Sequence, residues 1–318
     1  MFINKKKEVT VMKACHFFFM PFLVVFSLIS LISIPAARSA TFPVSNVSEL
    51  EDALYIAQSN GQDDTIIVAA GNYDVSGGVL TYVAKATAPE ENFALTIEGA
   101  GTGQTIIDGG NAVQCLSILT TTGAFDDSAA TITIRGMTIQ NGIASFGGGA
   151  SIETNNGNIV VENLQLLANE STSDGGGLYA RTHGTGIIMI SGITASNNIS
   201  VGGGAGVFAY TTDGDITIRD SMFNDNTVTA GSPGGGVNAY AGSGGTVIIS
   251  GSTFTGNEAL ASAAYAGGSY TETWSTGSAI FVNNTLHGNS SRYGGGAYFA
   301  SGPTIVANNT LSGNHATF

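Results

Sequence analysis

The chain is poor in cysteine, in basic side chains and in charge of any kind. Of its two cysteines, Cys15 lies in an N-terminal leader and only Cys115 follows it. An internal disulfide is therefore excluded for the exported portion, even where export permits oxidation, and stability has to come from packing. Five of the ten basic residues, Lys85, Arg135, Arg181, Arg219 and Arg292, lie beyond Ser39, against 22 of the 23 carboxylates, a balance of −17. A polyphosphate partner needs a positive surface to release counterions, so nucleic acid and anionic membrane are excluded as partners. Charged residues make up only 10% of the chain while glycine occurs 45 times, a combination suited to tight turns joining strands packed on one another.

The first residues read as an address. Lys5, Lys6, Lys7 and Lys13 form a basic region, Phe17 to Ile34 an apolar core, and Ala36–Ala37–Arg38–Ser39–Ala40 a small-residue exit. This is the pattern of a cleaved export signal, with the cut after Ser39 or Ala40. Met12 is an equally good start. Residues 1–39 are thus assigned to the signal, and Cys15, which precedes the apolar core, is not placed as a lipid anchor. The protein is expected to be secreted, extracellular or associated with an outer membrane, with no transmembrane span left after cleavage.

What the chain has is a repeat. Six asparagines close motifs of the form apolar–x–x–Asn, at Asn169, Asn198, Asn226, Asn257, Asn289 and Asn314, spaced by 29, 28, 31, 32 and 25 residues. One polar residue held in register over such a period marks a solenoid. Each return of the chain places an amide where it can bond the identical amide one level up and one level down. Left unpaired and buried, such an amide would cost roughly 1–3 kcal/mol.

Apolar strands open the successive rungs near Ala94, Thr131, Ile159, Ile187, Asp215, Val247, Ala279 and Thr304, and a short buried strand is expected at Thr65–Ala69. Glycine-rich corners recur at Gly147–Gly149, Gly175–Gly177, Gly202–Gly206, Gly234–Gly236, Ala266–Gly268 and Gly294–Gly296. Val47–Asn60 is the one segment with helical periodicity. Leu50, Ala53, Leu54 and Ala57 give it a single apolar stripe, with Ser48 and Glu51 as the expected capping box. Residues 40–64 are therefore read as an N-terminal cap and 65–318 as an all-β, single-stranded parallel β-helix. The winding stops after the asparagine of the last rung, so that end is expected to be open or truncated and to offer an edge for association.

These residues resemble a known family. GGGA (Gly147–Ala150, Gly294–Ala297), GGGL (Gly175–Leu178) and GGGV (Gly234–Val237), paired with FNDN (Phe223–Asn226) and FTGN (Phe254–Asn257), resemble the repeats of polymorphic outer membrane proteins. Asp63 to Gly110 resembles the opening of secreted β-helix proteins, pectinesterase-like ones among them. The resemblance implies a right-handed parallel β-helix of the pectin-lyase-like superfamily. It leaves function open, because that scaffold carries adhesins, lyases, hydrolases and esterases. These 318 residues include no stretch resembling the barrel of those proteins, so self-secretion across an outer membrane is not expected from them.

Chemistry is sparsely supported. Rung alignment puts Arg135, Glu162, Ser191, Arg219, Ser250, Val282 and Ala307 in one outward column, so that Arg135 is expected to pair with Glu162. Arg219 with Asp220 and Asp225 is the best catalytic constellation available, and it is weak. Asp126–Asp127 is expected to be a solvated turn, with Ca²⁺ binding or acid–base work as the alternatives. Asp213–Gly214–Asp215 also reads as a turn, and His183, His287 and His315 lack metal-ligand spacing. No catalytic residue, metal or cofactor is assigned.

After each glycine corner, alternation sends Ala150, Leu178, Val207, Val237, Ser269 and Ala297 inward and Ser151, Tyr179, Phe208, Asn238, Tyr270 and Tyr298 outward, with Tyr210 and Tyr240 two residues further along. Tyr179, Phe208, Tyr210, Tyr240, Tyr270 and Tyr298 are thus the candidate ligand-binding residues, an exposed stripe suited to stacking on sugar rings or docking a cell-surface protein. Stacking of these rings on one another, merely stiffening the sheet, is the competing account. A second outward column, Thr133, Val160, Met189, Thr217, Ile248, Ile280 and Ile305, turns apolar toward the C-terminus, under a loop or as an association surface. The sequence favours an adhesin-like binding or surface-structural module, with a carbohydrate-active enzyme on the same scaffold as the alternative.

Overall fold

The computed structural model describes residues 39–85, 91–120, 126–231 and 233–317. Residues 1–38 of the leader lie outside them, as does part of the loop before Asp126. The described chain winds into a parallel β-helix whose strands form three sheets of 17, 8 and 7 strands. Crossovers between parallel strands are right-handed for the steric reasons that twist every strand, and the coil follows that rule. Rung strands begin at Leu95, Thr131, Asn158, Ile188, Ile216, Thr246, Ser278 and Thr304, each within one residue of the position expected from the repeat.

The largest sheet, sheet 1, takes two strands per rung. Sheet 2 stacks Leu80–Val83, Leu116–Leu119, Ala150–Thr154, Leu178–Thr182, Val207–Thr211, Val237–Ala241, Ser269–Thr273 and Ala297–Ala300. Sheet 3 is built from two-residue strands such as Glu170–Ser171 and Thr227–Val228. Alternation fills the interior with Ile, Val, Leu and Ala. At its centre the rings of Phe223 and Phe254 stack 4.9 Å apart and 14° from parallel, one rung above the other.

The asparagine column is a ladder. Asn226 Oδ1 accepts both the backbone N–H of Asn198 (3.1 Å) and its Nδ2 (2.9 Å), while Asn226 Nδ2 donates to Asn257 Oδ1 (2.8 Å) and to the carbonyl of Ala195 (2.9 Å). The same four-bond pattern holds at Asn198, Asn257 and Asn289. At the lower end Gly142 takes the asparagine's place and gives its N–H to Asn169.

A second, shorter column escaped the repeat analysis. Ser221, Ser252, Asn284 and Asn309 each accept the backbone N–H one level below, from Ile193, Ser221, Ser252 and Asn284 in turn. Mixing serine with asparagine hid it from a search for one repeated residue.

The helix is shorter than expected and starts differently. It spans Val47–Ala57 (α1), and its N-cap is Asn46, whose Oδ1 accepts the N–H of Glu49 at 2.9 Å. Glu49 in turn accepts from the backbone and hydroxyl of Ser45. Asn46 therefore replaces Ser48, which lies inside the first turn. The apolar stripe is as expected: Leu50, Ala53, Leu54 and Ala57 are buried. Leu50 and Leu54 close the end of the core over Val68, Leu80, Ile97, Ile107, Leu116 and Met137. A strand that the repeat did not mark, Ser39–Val44, pairs in parallel with Asp63–Val68, and the expected cleavage point falls at its first residues.

Two carboxylates are buried beside this cap. Asp64 accepts from Asn60 Nδ2 (2.8 Å) and Glu91 from the N–H of Gly61 (2.9 Å), and both are under 4% exposed. Burial pushes Asp64 up to about 6 and Glu91 up to about 7. An unfolded chain releases both protons near pH 4, so the native state binds more protons between about pH 4 and 7. Their contribution to stability is full below pH 4 and is lost as pH rises through 6 to 7. The melting temperature measured from pH 5 to 8 should fall with rising pH more steeply in the wild type than in Asp64→Asn/Glu91→Gln. Parallel curves for the two proteins would refute this origin.

Candidate ligand-binding groove

Each coil reaches sheet 2 through a corner residue of positive φ: Gly147, Gly175, Gly204, Gly234, Ala266 and Gly294. Beyond the corner, register places Tyr179, Phe208, Asn238, Tyr270 and Tyr298 in one outward column and Arg181, Tyr210, Tyr240 and Glu272 in the next. The expected columns therefore exist, and all six candidate aromatics lie on one sheet. The expected exposure does not hold throughout. Tyr179 is 5% exposed, enclosed between the rings of Phe146 (5.0 Å) and Phe208 (5.1 Å), and Tyr270 is 9% exposed, against Tyr298 (5.7 Å) and Tyr265 (6.4 Å). At ~4.8 Å per rung, rings in register touch and shield one another. Asn238 interrupts the first column. Tyr210 and Tyr240 stack 4.8 Å apart and are each partly exposed, with Trp274 set edge-on to Tyr240 at 5.2 Å.

Part of this face becomes a groove because two connections are long. Five residues separate ladder asparagine from corner at 170–174 and 199–203, but seven do so at 227–233 and eight at 258–265. The extra residues stand out as a wall over sheet 2. Ala230, Pro233, Ala261, Ser262 and Tyr265 face Phe208, Tyr210, Tyr240 and Tyr270 across about 710 Å³, with Asp174 and Glu272 also lining it. The second wall is pinned: Arg292 Nη1 donates to the carbonyl of Ser262 (2.5 Å) and its guanidinium lies 5.4 Å over the Tyr293 ring, while Tyr265 and Tyr293 form a parallel bridge. The wall was readable in the sequence only as the unequal spacings of 31 and 32 residues.

The groove is acidic and holds no cation of its own. Arg181, the nearest guanidinium in register, lies 5.0 Å over the Tyr210 ring and donates to the Tyr179 hydroxyl at 3.4 Å. Glu272 is oriented by two donors, Tyr270 Oη to Oε2 (2.8 Å) and Trp274 Nε1 to Oε1 (2.6 Å). Asp174 Oδ1 accepts the N–H of Gly203 at 2.6 Å. Burial, with the nearby Glu272 carboxylate adding to it, raises the phenols of Tyr240 and Tyr270, which therefore remain neutral hydroxyls.

The other candidates lie elsewhere. Arg219 and Asp220 form an exposed pair at 3.1 Å on sheet 1. Asp220 (φ 51°) falls in a column of corners with Gly136, Asn163, Gly192, Gly251, Asn283 and Asn308, and Asp225 (φ 52°) in another with Asn141, Ala168, Asn197, Gly256, Gly288 and Gly313. A left-handed corner favours Gly, Asn or Asp, so both carboxylates are explained by backbone conformation and not by catalysis.

Arg135 does not pair with Glu162 but with Glu98, one rung on its other side, at 2.7 Å. Both are about 40% exposed, so the pair contributes under about 1 kcal/mol. Asp127 is no solvated turn. It is fully buried, accepting the N–H groups of Asn155 (2.7 Å), Asn156 (2.5 Å) and Gly157 (3.0 Å) and the hydroxyl of Thr120, while Asp126 is exposed and accepts from Ser128. Asp215 accepts the N–H of Thr246 at 2.7 Å. His183 meets Glu153 at 3.3 Å, His287 meets Ser312 at 2.9 Å, and His315 lines a smaller depression with Arg292. Among the described residues, no three His, Cys, Asp or Glu are grouped closely enough to hold a metal ion. In the apolar column on sheet 1, Met189 (42%) and Ile305 (57%) are exposed, while Val160, Ile248 and Ile280 are half-buried.

No family model matches the chain, and no curated protein does. Among solved structures it is similar to a pectin methylesterase from Aspergillus niger, in a penultimately deglycosylated form, at 16% identity and a TM-score of 0.42, over 88% of this chain and 89% of that one. What defines this protein is the all-β parallel β-helix described above. At that identity no residue is carried across from the esterase.

Proposed function

We propose that the protein is an exported, adhesin-like binding module whose contact surface is the groove on sheet 2, with a carbohydrate as its ligand. The observation that carries this reading is the half-exposed Tyr210–Tyr240 stack lying under a wall built by lengthened connections. Partly exposed apolar ring edges beside hydroxyl and carboxylate acceptors suit a sugar ring, which is apolar on its faces and polar at its edge. The motif resemblance to polymorphic outer membrane proteins fits a surface role, and the leader fits export.

Hydrolysis is disfavoured by geometry. Asp174 precedes the Leu178–Thr182 strand and Glu272 lies three rungs on, so ~14 Å of axial rise separates the groove's two carboxylates. Glycosidase pairs stand roughly 5–9.5 Å apart.

Replacing Tyr210 and Tyr240 by Ala should weaken glycan-array binding about tenfold or more while lowering the melting temperature by only a few degrees. Tyr179→Ala, which empties a buried site, should instead cost about 3 kcal/mol. Unchanged binding in the Tyr210/Tyr240 variant would leave the rings a purely structural ladder. Release of reducing or unsaturated ends from polygalacturonate, with or without Ca²⁺, would replace the binding reading by an enzymatic one.

A further inference from the structure

The charge of the groove says which carbohydrate it would take. All five basic residues beyond the leader are already engaged: Arg135 and Arg219 with carboxylates, and Lys85, Arg181 and Arg292 on the rings of Tyr55, Tyr210 and Tyr293. None lines the groove, whose only charged side chains are Asp174 and Glu272. An acidic sugar polymer would bring its carboxylates against these two with nothing to neutralise them. Ammonium groups spaced along a polymer would instead meet these two carboxylates in turn, one toward each end of the groove, beside the partly exposed rings of Tyr210 and Tyr240. The Tyr210 ring is itself covered by Arg181 on one side and Tyr240 on the other, so the two carboxylates carry the selection.

Glu272 is prepared for this. Its two donors fix the carboxylate plane, and each oxygen keeps a lone pair for a further donor. Resting on the reading of the groove as a glycan surface, we propose that it selects polymers of amino sugars carrying free protonated amines, and discriminates against both their N-acetylated forms and uronates. A basic peptide would satisfy the carboxylates too, but an open trough lined by ring edges and hydroxyls between walls fits a chain of pyranoses better than flexible lysine chains.

Trp274 reports on the site directly. It is the chain's one tryptophan, 58% exposed and bonded to Glu272, so its fluorescence should change when Glu272 gains a partner. The exported protein would be titrated at low ionic strength with a glucosamine oligomer, the N-acetylglucosamine oligomer of equal length, a galacturonate oligomer and an oligolysine. The amine-bearing oligomer should bind about tenfold tighter than its acetylated counterpart, and salt should narrow the gap. In Asp174→Asn/Glu272→Gln, with its melting temperature checked, the two should bind within about twofold of each other. Acetylated or uronate oligomers binding as tightly as the amine form would overturn the inference and leave the glycan surface standing. Oligolysine binding as tightly as the amino sugar would also overturn it, in favour of a peptide ligand. Failure of every sugar to bind, at full protein stability, would remove the glycan reading as well.

Discussion

Asn226→Ala should destabilise the protein by about 3–5 kcal/mol in chemical denaturation, far more than an ordinary asparagine. Four hydrogen bonds end on this one side chain. Its loss strands the backbone N–H of Asn198 and the carbonyl of Ala195 inside a dry core, at roughly 1–3 kcal/mol for each buried group left unpaired. Two residues away, the half-exposed Asn224 side chain donates to Ser196 Oγ across a long 3.5 Å. Asn224→Ala should cost less than about 0.5 kcal/mol. The ladder also predicts non-additivity: Asn257→Ala made on top of Asn226→Ala should cost less than it does alone, because the bond between the two is already gone. Equal costs for Asn226 and Asn224 would mean that the column is not what holds the rungs in register.

Gly206→Ala should be comparably severe, for a steric reason. A Cβ at this position would stand 2.5 Å from the carbonyl oxygen of Gly236 and 3.2 Å from Asn226 Nδ2. The first contact is backbone of the next rung, held by the hydrogen bond from Val207 N to Gly236 O (3.0 Å). It cannot rotate away, so the coils would have to separate at the ladder itself. A cost of about 3 kcal/mol or more is expected, and soluble yield together with denaturant midpoint would measure it. Gly78→Ala supplies the comparison, since its Cβ would meet nothing within 4 Å. It should be neutral or slightly stabilising through the reduced freedom of the unfolded chain. If both variants fold equally well, close approach between coils is not why glycine occupies the corner.

Much of the fold was legible because a solenoid writes its geometry into a one-dimensional period. The six asparagines, the apolar strand starts and the glycine corners recur at one interval, and each fell within a residue of its expected place. The capping helix was recognisable from the stripe Leu50, Ala53, Leu54 and Ala57, although Asn46 and not Ser48 starts it. The Ser39–Val44 strand was missed because it carries neither the asparagine nor the glycine of the repeat. The serine–asparagine ladder was missed because hydroxyl and amide side chains do the same job there. Asp220 and Asp225 misled by their charge, when their place in a left-handed corner is the reason they are present.

Taken alone, the sequence determined the parallel coil, its amide ladder and the face on which the aromatic side chains project, since all three follow from periodicity and the alternation of a strand. Which rings remain open was decided only by tertiary structure. Stacking across rungs hides Tyr179 and Tyr270, while Tyr210 and Tyr240 stay reachable beneath walls made by the connections at 227–233 and 258–265. Such closeness depends on how neighbouring coils lie against each other, and no local pattern records it.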